Sequence, residues 1–113
     1  MENKELETNF RFGTVYALSE QVESASERVQ VKKVFENKHG GVVLLAFRAG
    51  QKLDTHIAPY EVMVNVVEGD VDFTMNDVRN NLKKGDFMLM GANVPHSVEA
   101  KTDAKLMLVK IEA

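Results

Sequence analysis

The stretch Gly50-Gln51-Lys52-Leu53-Asp54-Thr55-His56-Ile57-Ala58-Pro59-Tyr60-Glu61-Val62 runs directly into Met63-Val64-Asn65-Val66-Val67-Glu68-Gly69-Asp70. A glycine-led turn opens it, Pro59 punctuates it, and a valine-rich run follows that Glu68-Gly69-Asp70 closes. A second stretch has the same grammar: Gly85-Asp86-Phe87-Met88-Leu89-Met90-Gly91-Ala92-Asn93-Val94-Pro95-His96. Each stretch places one histidine after a glycine-led turn and next to a proline-containing extended segment. His56 and His96 stand 40 positions apart, so only the fold can bring them together.

Strand-like segments surround both stretches. Val29 to Phe35 alternates and then slips, Glu36 to Gly41 reads as a turn with Gly40-Gly41 as the breaker, and Val42–Phe47 is a continuous apolar run expected of a strand buried on both faces. Val71, Phe73 and Met75 alternate with polar residues up to a hairpin tip at Asn76-Asp77, and Lys105 to Ile111 ends the chain as a strand. Roughly eight or more short strands at this spacing predict an all-β barrel or jelly roll, which leaves few free edges. Residues 1–28 read as an N-terminal arm carrying a short helix or an edge strand, the first ten or so loosely held. Residues 29–113 read as the barrel.

The chain has 113 residues, 44% of them hydrophobic, enough for one domain with a real core. Cysteine is absent, which excludes disulfide frameworks, thiolate zinc sites and cysteine nucleophiles. The net charge of -3, with Lys and Arg scattered among Asp and Glu, argues against a nucleic-acid partner. Met1 to Arg11 is polar and lacks the basic and apolar regions of a signal peptide, and the apolar runs are too short to span a bilayer. The expectation is a cytoplasmic protein without a membrane partner. Phosphate-cradling glycine loops, Ser-His-Asp spacing and nucleotide fingerprints are missing, which argues against hydrolase or nucleotide chemistry by a standard motif.

Together the two stretches resemble the paired motifs of the cupins, specifically small single-domain RmlC-like cupins of the cupin 2 conserved-barrel type. The resemblance rests on the joint spacing of Gly50, His56, Gly69, Gly85 and His96. It implies a double-stranded β-helix, the jelly-roll β-barrel of the cupins, with the two histidines facing one pocket. Of the four metal-ligand positions it implies, only His56 and His96 carry over. Ala58 stands where a second histidine is usual, and Val62 where a glutamate is usual. The first motif also resembles a subgroup with a His-x-Ala-Pro-x-acid pattern, in which Glu61 is the acid.

Two imidazoles make a poor metal site alone, because catalytic zinc and non-haem iron use three protein ligands. Glu61 is one position from the usual glutamate, so a regular strand points it away from the pocket. A bulge or bend near Pro59 would re-aim it and complete a set of two histidines and a carboxylate for Fe, Mn, Zn or Ni. The competing reading is metal-free: both histidines line a pocket through hydrogen bonds, and Glu61 is solvated. Ala58, Val62, Val64 and Val66 are the expected pocket wall, although valines in a barrel are first of all core. Met75, Met88, Met90 and Met107 read as core or interface fillers. His39, in Lys38-His39-Gly40-Gly41, reads as an exposed turn residue.

Three functions remain open. One is a barrel binding a small molecule at a degenerate metal site. Another is a metal-dependent enzyme of isomerase, dioxygenase or decarboxylase type, among which the fold does not choose. The last is an interaction protein with a vestigial pocket. The apolar outward faces of Val42–Phe47 and of Met107, Val109 and Ile111 need covering, which predicts a homodimer built through an N-terminal strand.

Overall fold

The computed structural model describes residues 6–113 and contains nine strands and one short 3-10 turn, η1, at Leu18–Glu20. The strands are β1 (Gln30–Asn37), β2 (Gly40–Phe47), β3 (Lys52–His56), β4 (Tyr60–Glu68), β5 (Asp70–Met75), β6 (Val78–Lys83), β7 (Phe87–Met90), β8 (His96–Ala100) and β9 (Ala104–Glu112). They form two antiparallel sheets, ordered β1-β2-β9-β4-β7 and β3-β8-β5-β6. This is an all-β jelly-roll barrel. Val62, Val64 and Val66 of β4 meet Phe47, Phe73 and Leu106 in one core between the sheets. Among the described residues, no helix is long and apolar enough to cross a membrane.

The turns follow local chemistry. Asn76 and Asp77 have φ of 50° and 65°, the left-handed pair that matches the twist of a two-residue hairpin between β5 and β6. Gly69, at φ 88°, closes β4 where a Cβ would collide with the Asp103 carbonyl. Gly40 and Gly41 correct the sequence reading: they do not break the chain but begin β2, which pairs with both β1 and β9. A Cβ on Gly40 would run into the Lys110 carbonyl, so glycine here permits close strand approach. Strand β6 carries Asn80 and Asn81, poor strand formers. The Asn81 amide bonds the Asp70 and Asp72 carboxylates of β5, which helps hold this edge.

The arm is tied down more firmly than its polarity suggests. Glu7 and Glu36 exchange backbone hydrogen bonds of 2.7 and 3.0 Å, and the Thr8 hydroxyl donates to the Val34 carbonyl at 2.6 Å. Farther along, Val22 covers Leu44 and Ala46 on the outer face of β2, beside Val34 and Met107. Both faces of the Leu44–Phe47 run are therefore buried, one against the barrel core and one under the chain's own arm.

Candidate functional site

His56 ends β3 and His96 begins β8, and they are direct partners across the β3–β8 ladder. The approach to that pairing is irregular. Leu53 pairs with Val98 and His56 with His96, so β3 holds an extra residue against Ser97. In a regular strand, Leu53 and His56 would face opposite ways. The bulge at Asp54-Thr55 resets the alternation and brings His56 to the same side as Leu53. Leu53, His56 and His96 then line one cavity of about 40 Å³ with Val64, Phe73 and Met90.

The two rings lie edge to face, 4.1 Å between centroids at 60°. His96 also stacks parallel to Phe73, 5.8 Å away at 4°. Each histidine bonds the carbonyl two residues before it: His56 Nδ1 to Asp54 and His96 Nδ1 to Val94, both at 2.9 Å. A carbonyl only accepts, so each Nδ1 carries the hydrogen, and in the neutral ring Nε2 is left as a bare acceptor. Neither Nε2 has a hydrogen-bond partner among the described residues. His96 is only 7% exposed, yet no fully buried side-chain nitrogen or oxygen among those residues lacks a partner, so its Nε2 keeps some accessible surface.

Burial pushes the His96 pKa below its ordinary value, the Val94 carbonyl opposes the shift, and the neighbouring His56 adds to it. His96 therefore stays neutral, with Nε2 as acceptor, to lower pH than a free histidine. At the same barrel end, Tyr60 and Lys110 are the inward-facing residues beyond Val62 and Leu108, with Lys110 Nζ 5.2 Å from the Tyr60 ring.

The other expected site residues fall elsewhere. Glu61 does not turn inward. Strand β4 pairs regularly from Tyr60 to Val66, so Glu61 stays on the outer face with Met63, Val109 and Ile111. Pro59 precedes the strand and introduces no bulge in it. Val64 lines the cavity, whereas Val62 and Val66 face inward as core. Ala58 is half-buried in the β3–β4 connection, where its carbonyl accepts the Asn93 N–H at 2.8 Å and ties two loops together. His39 bonds Glu112 at 2.7 Å, far from the cavity in the ladder. Met90 is the site residue that sequence reasoning passed over as filler. Its alternation with Leu89 in β7 places it inward, opposite Val62.

The two imidazoles fall one short of the three protein ligands usual for catalytic zinc or non-haem iron. Among the described residues, no three or more His, Cys, Asp or Glu side chains group closely enough to hold a metal ion. The donor set therefore does not fit the divalent ions that the resemblance implies.

Residues 43–112 match the family model described as the cupin domain. The chain belongs to the cupin family. A conserved Streptococcus pyogenes protein of unknown function superposes with a TM-score of 0.86 at 19% identity, covering 100% of this chain and 96% of that one. An RmlC-like cupin from Desulfovibrio desulfuricans gives 0.78 at 27% identity, covering 87% and 95%. A salicylate 1,2-dioxygenase from Pseudoaminobacter salicylatoxidans, in adducts with gentisate, gives 0.62 at 26% identity over 65% of this cupin and 20% of that chain. No curated protein matches the sequence significantly.

Proposed function

We propose that this cupin binds a small molecule at the paired His56 and His96, on what remains of a metal site, and that the ligand presents a hydroxyl or other hydrogen-bond donor to their Nε2 atoms. One observation carries this reading: both Nδ1 atoms are tied to carbonyls, which leaves an Nε2 acceptor on each of two rings 4.1 Å apart that line an apolar cavity, His96 buried and His56 exposed at its rim. Pockets for drug-sized ligands run to about 300 Å³ or more, and benzene fills an engineered cavity of about 150 Å³. A cavity of about 40 Å³ suits only a few non-hydrogen atoms. Lys110 and Tyr60 at the same barrel end suit a carboxylate, so the ligand class is a small aliphatic hydroxy acid. The likeness to a dioxygenase captured with gentisate, itself a hydroxylated acid, supports this class.

Titration with glycolate, followed by NMR of the histidine rings, tests the proposal. Saturable shifts at His56 and His96 that vanish in His56→Ala are expected. Shifts that persist unchanged in that variant would overturn it.

The same dioxygenase likeness favours a second reading, a metal-dependent enzyme of dioxygenase type, over the isomerase and decarboxylase alternatives. Metal analysis of protein purified without chelator or nickel decides it. Stoichiometric Fe, Mn, Zn or Ni that disappears in His56→Ala would favour the enzyme.

The outer face of β4, β7 and β9 supports pairing of two chains. Leu89 is 66% exposed and Ile111 57%, and they flank Met63 and Val109 in an open apolar groove. Phe12 and Val15 of the arm are also exposed and supply apolar surface to meet it. Sedimentation should give a homodimer at micromolar concentration that Leu89→Glu converts to monomer. A monomeric parent chain would exclude this assembly.

A further inference from the structure

The outermost strand of an open sheet presents backbone groups that no neighbour satisfies, a template for another chain. The edges here are β1, β7, β3 and β6. Three of them are blunted. The arm bridges β1 between Glu7 and Glu36, and Lys32-Lys33 charge that strand. β3 carries the Asp54-Thr55 bulge, and β6 carries Arg79 and Lys83 around Asn80-Asn81. β7 is Phe87-Met88-Leu89-Met90, with no charge, no proline and no bulge in its pairing with β4.

The hydrogen bonds of that pairing fix what the edge offers. The Val66 N–H donates to the Asp86 carbonyl at 2.9 Å, and along an antiparallel strand alternate residues turn their backbone groups to the same side. Met88 and Met90 therefore bond toward β4, and the N–H and C=O of Phe87 and Leu89 point to the free edge. Among the described residues nothing bonds them there. The same two side chains stand on the outer face, 62% and 66% exposed, and Leu89 joins the apolar groove of Met63, Val109 and Ile111.

Such a strand complements itself. Laid antiparallel against its own copy and centred on Met88, β7 sets Phe87 opposite the second copy's Leu89, and the reverse, so that outer side chains meet outer side chains. Each Phe87–Leu89 pair then exchanges both backbone hydrogen bonds, because both residues present N–H and C=O to the edge. Charge agrees with this register. It sets Gly85 of one copy beside Gly91 of the other, in the row of Glu61, so the Lys83-Lys84 turn of each copy approaches the exposed Glu61 of its partner. We infer that β7 is a docking edge for a second copy of this chain, which joins the two five-stranded sheets into one across a two-fold axis. The inference rests on the homodimer reading above and names the strand that makes it.

Isotope-labelled and unlabelled chains are mixed, and contacts between chains are read by NMR alongside sedimentation. The expected result is a dimer with contacts between the Phe87 ring of one chain and the Leu89 methyls of the other. The Phe87 and Leu89 amides should exchange slowly in the dimer and fast on dilution to monomer. Leu89→Ala keeps the N–H at the edge. Leu89→Pro removes it without touching the β4 ladder, a position where an edge strand accepts proline. A net hydrogen bond is worth roughly two- to tenfold, and each dimer loses one on either side of the axis, so Leu89→Pro should dissociate about fivefold or more beyond Leu89→Ala. Amide spectra report that both variants fold. Equal dissociation of the two variants, or a dimer without Phe87–Leu89 contacts between chains, would overturn this inference and leave the homodimer reading standing. A monomeric parent chain would overturn both, and protected Phe87 and Leu89 amides in that monomer would assign the edge to a segment of its own chain.

Discussion

Strands β3 and β4 follow one another in the chain, and each carries a polar residue that a regular alternation would turn away from the barrel. In β3 the extra residue at Asp54-Thr55 reverses the alternation, and His56 enters the cavity. In β4 the pairing with β9 is regular from Tyr60 to Val66, and Glu61 stays outside. The difference lies in the neighbours. β3 is an edge strand paired only with β8, so it can bulge without disturbing a second ladder. β4 is hydrogen-bonded on both sides, to β7 and β9, so a shift at Glu61 would break pairing along two strands. A motif position that the alternation turns outward therefore reaches the pocket only if its strand is free to bend.

The largest predicted effect comes from removing that freedom. Deleting Asp54 together with Thr55 should set His56 directly after Leu53, opposite Ser97, and so turn it outward. Glycolate binding should fall as far as it does in His56→Ala. Retained binding would show that the bulge is not what aims the ring.

Moving the acid to the inward register of β4 comes next. Val62 is almost fully buried, so Val62→Glu places an unpaired carboxylate in the core. It should cost about 3 kcal/mol or more at neutral pH, read as a lower urea midpoint. A cost below about 1 kcal/mol would mean that this register is wetter than its burial indicates.

The pH dependence is smaller. The unfolded chain protonates His96 near the ordinary value of 6.5, and the folded chain only below that. Between the two values the unfolded state binds more protons, so stability falls as pH drops below about 6.5 and is insensitive to this group above it. His96→Gln should remove that part of the slope in acid titrations of the denaturation midpoint. An unchanged slope would assign it to another group.

The smallest effect is Glu61→Gln, an exposed change on the outer face, which should alter stability by less than about 0.5 kcal/mol and leave glycolate affinity unchanged. A loss of affinity would return Glu61 to the site.

These contrasts also mark what the sequence could reveal. The glycine–histidine spacing in two separate stretches was enough to read the jelly roll and the meeting of His56 with His96, because turn chemistry and alternation are local. The bulge was not legible. It depends on Leu53 pairing with Val98 and His56 with His96, more than 39 positions away along the chain. Pro59 was the visible local cue for a bend, but it lies before β4 and leaves the strand regular. Met90 was hidden for a related reason: methionine fills gaps in any core, and only the β4–β7 register brings it to the histidines. Gly40-Gly41 looked like a break because the close approach of β9, which requires glycine there, comes from the far end of the chain.

The central claim is that His56 and His96 face one cavity with both Nδ1 atoms anchored and both Nε2 atoms free. Long-range proton–nitrogen spectra of the histidine rings above about pH 8, where free imidazoles are neutral, test it most directly. The account predicts the Nδ1–H tautomer for both His56 and His96, with ring-to-ring contacts between them. An Nε2–H tautomer at either residue, or rings without mutual contact, would contradict it.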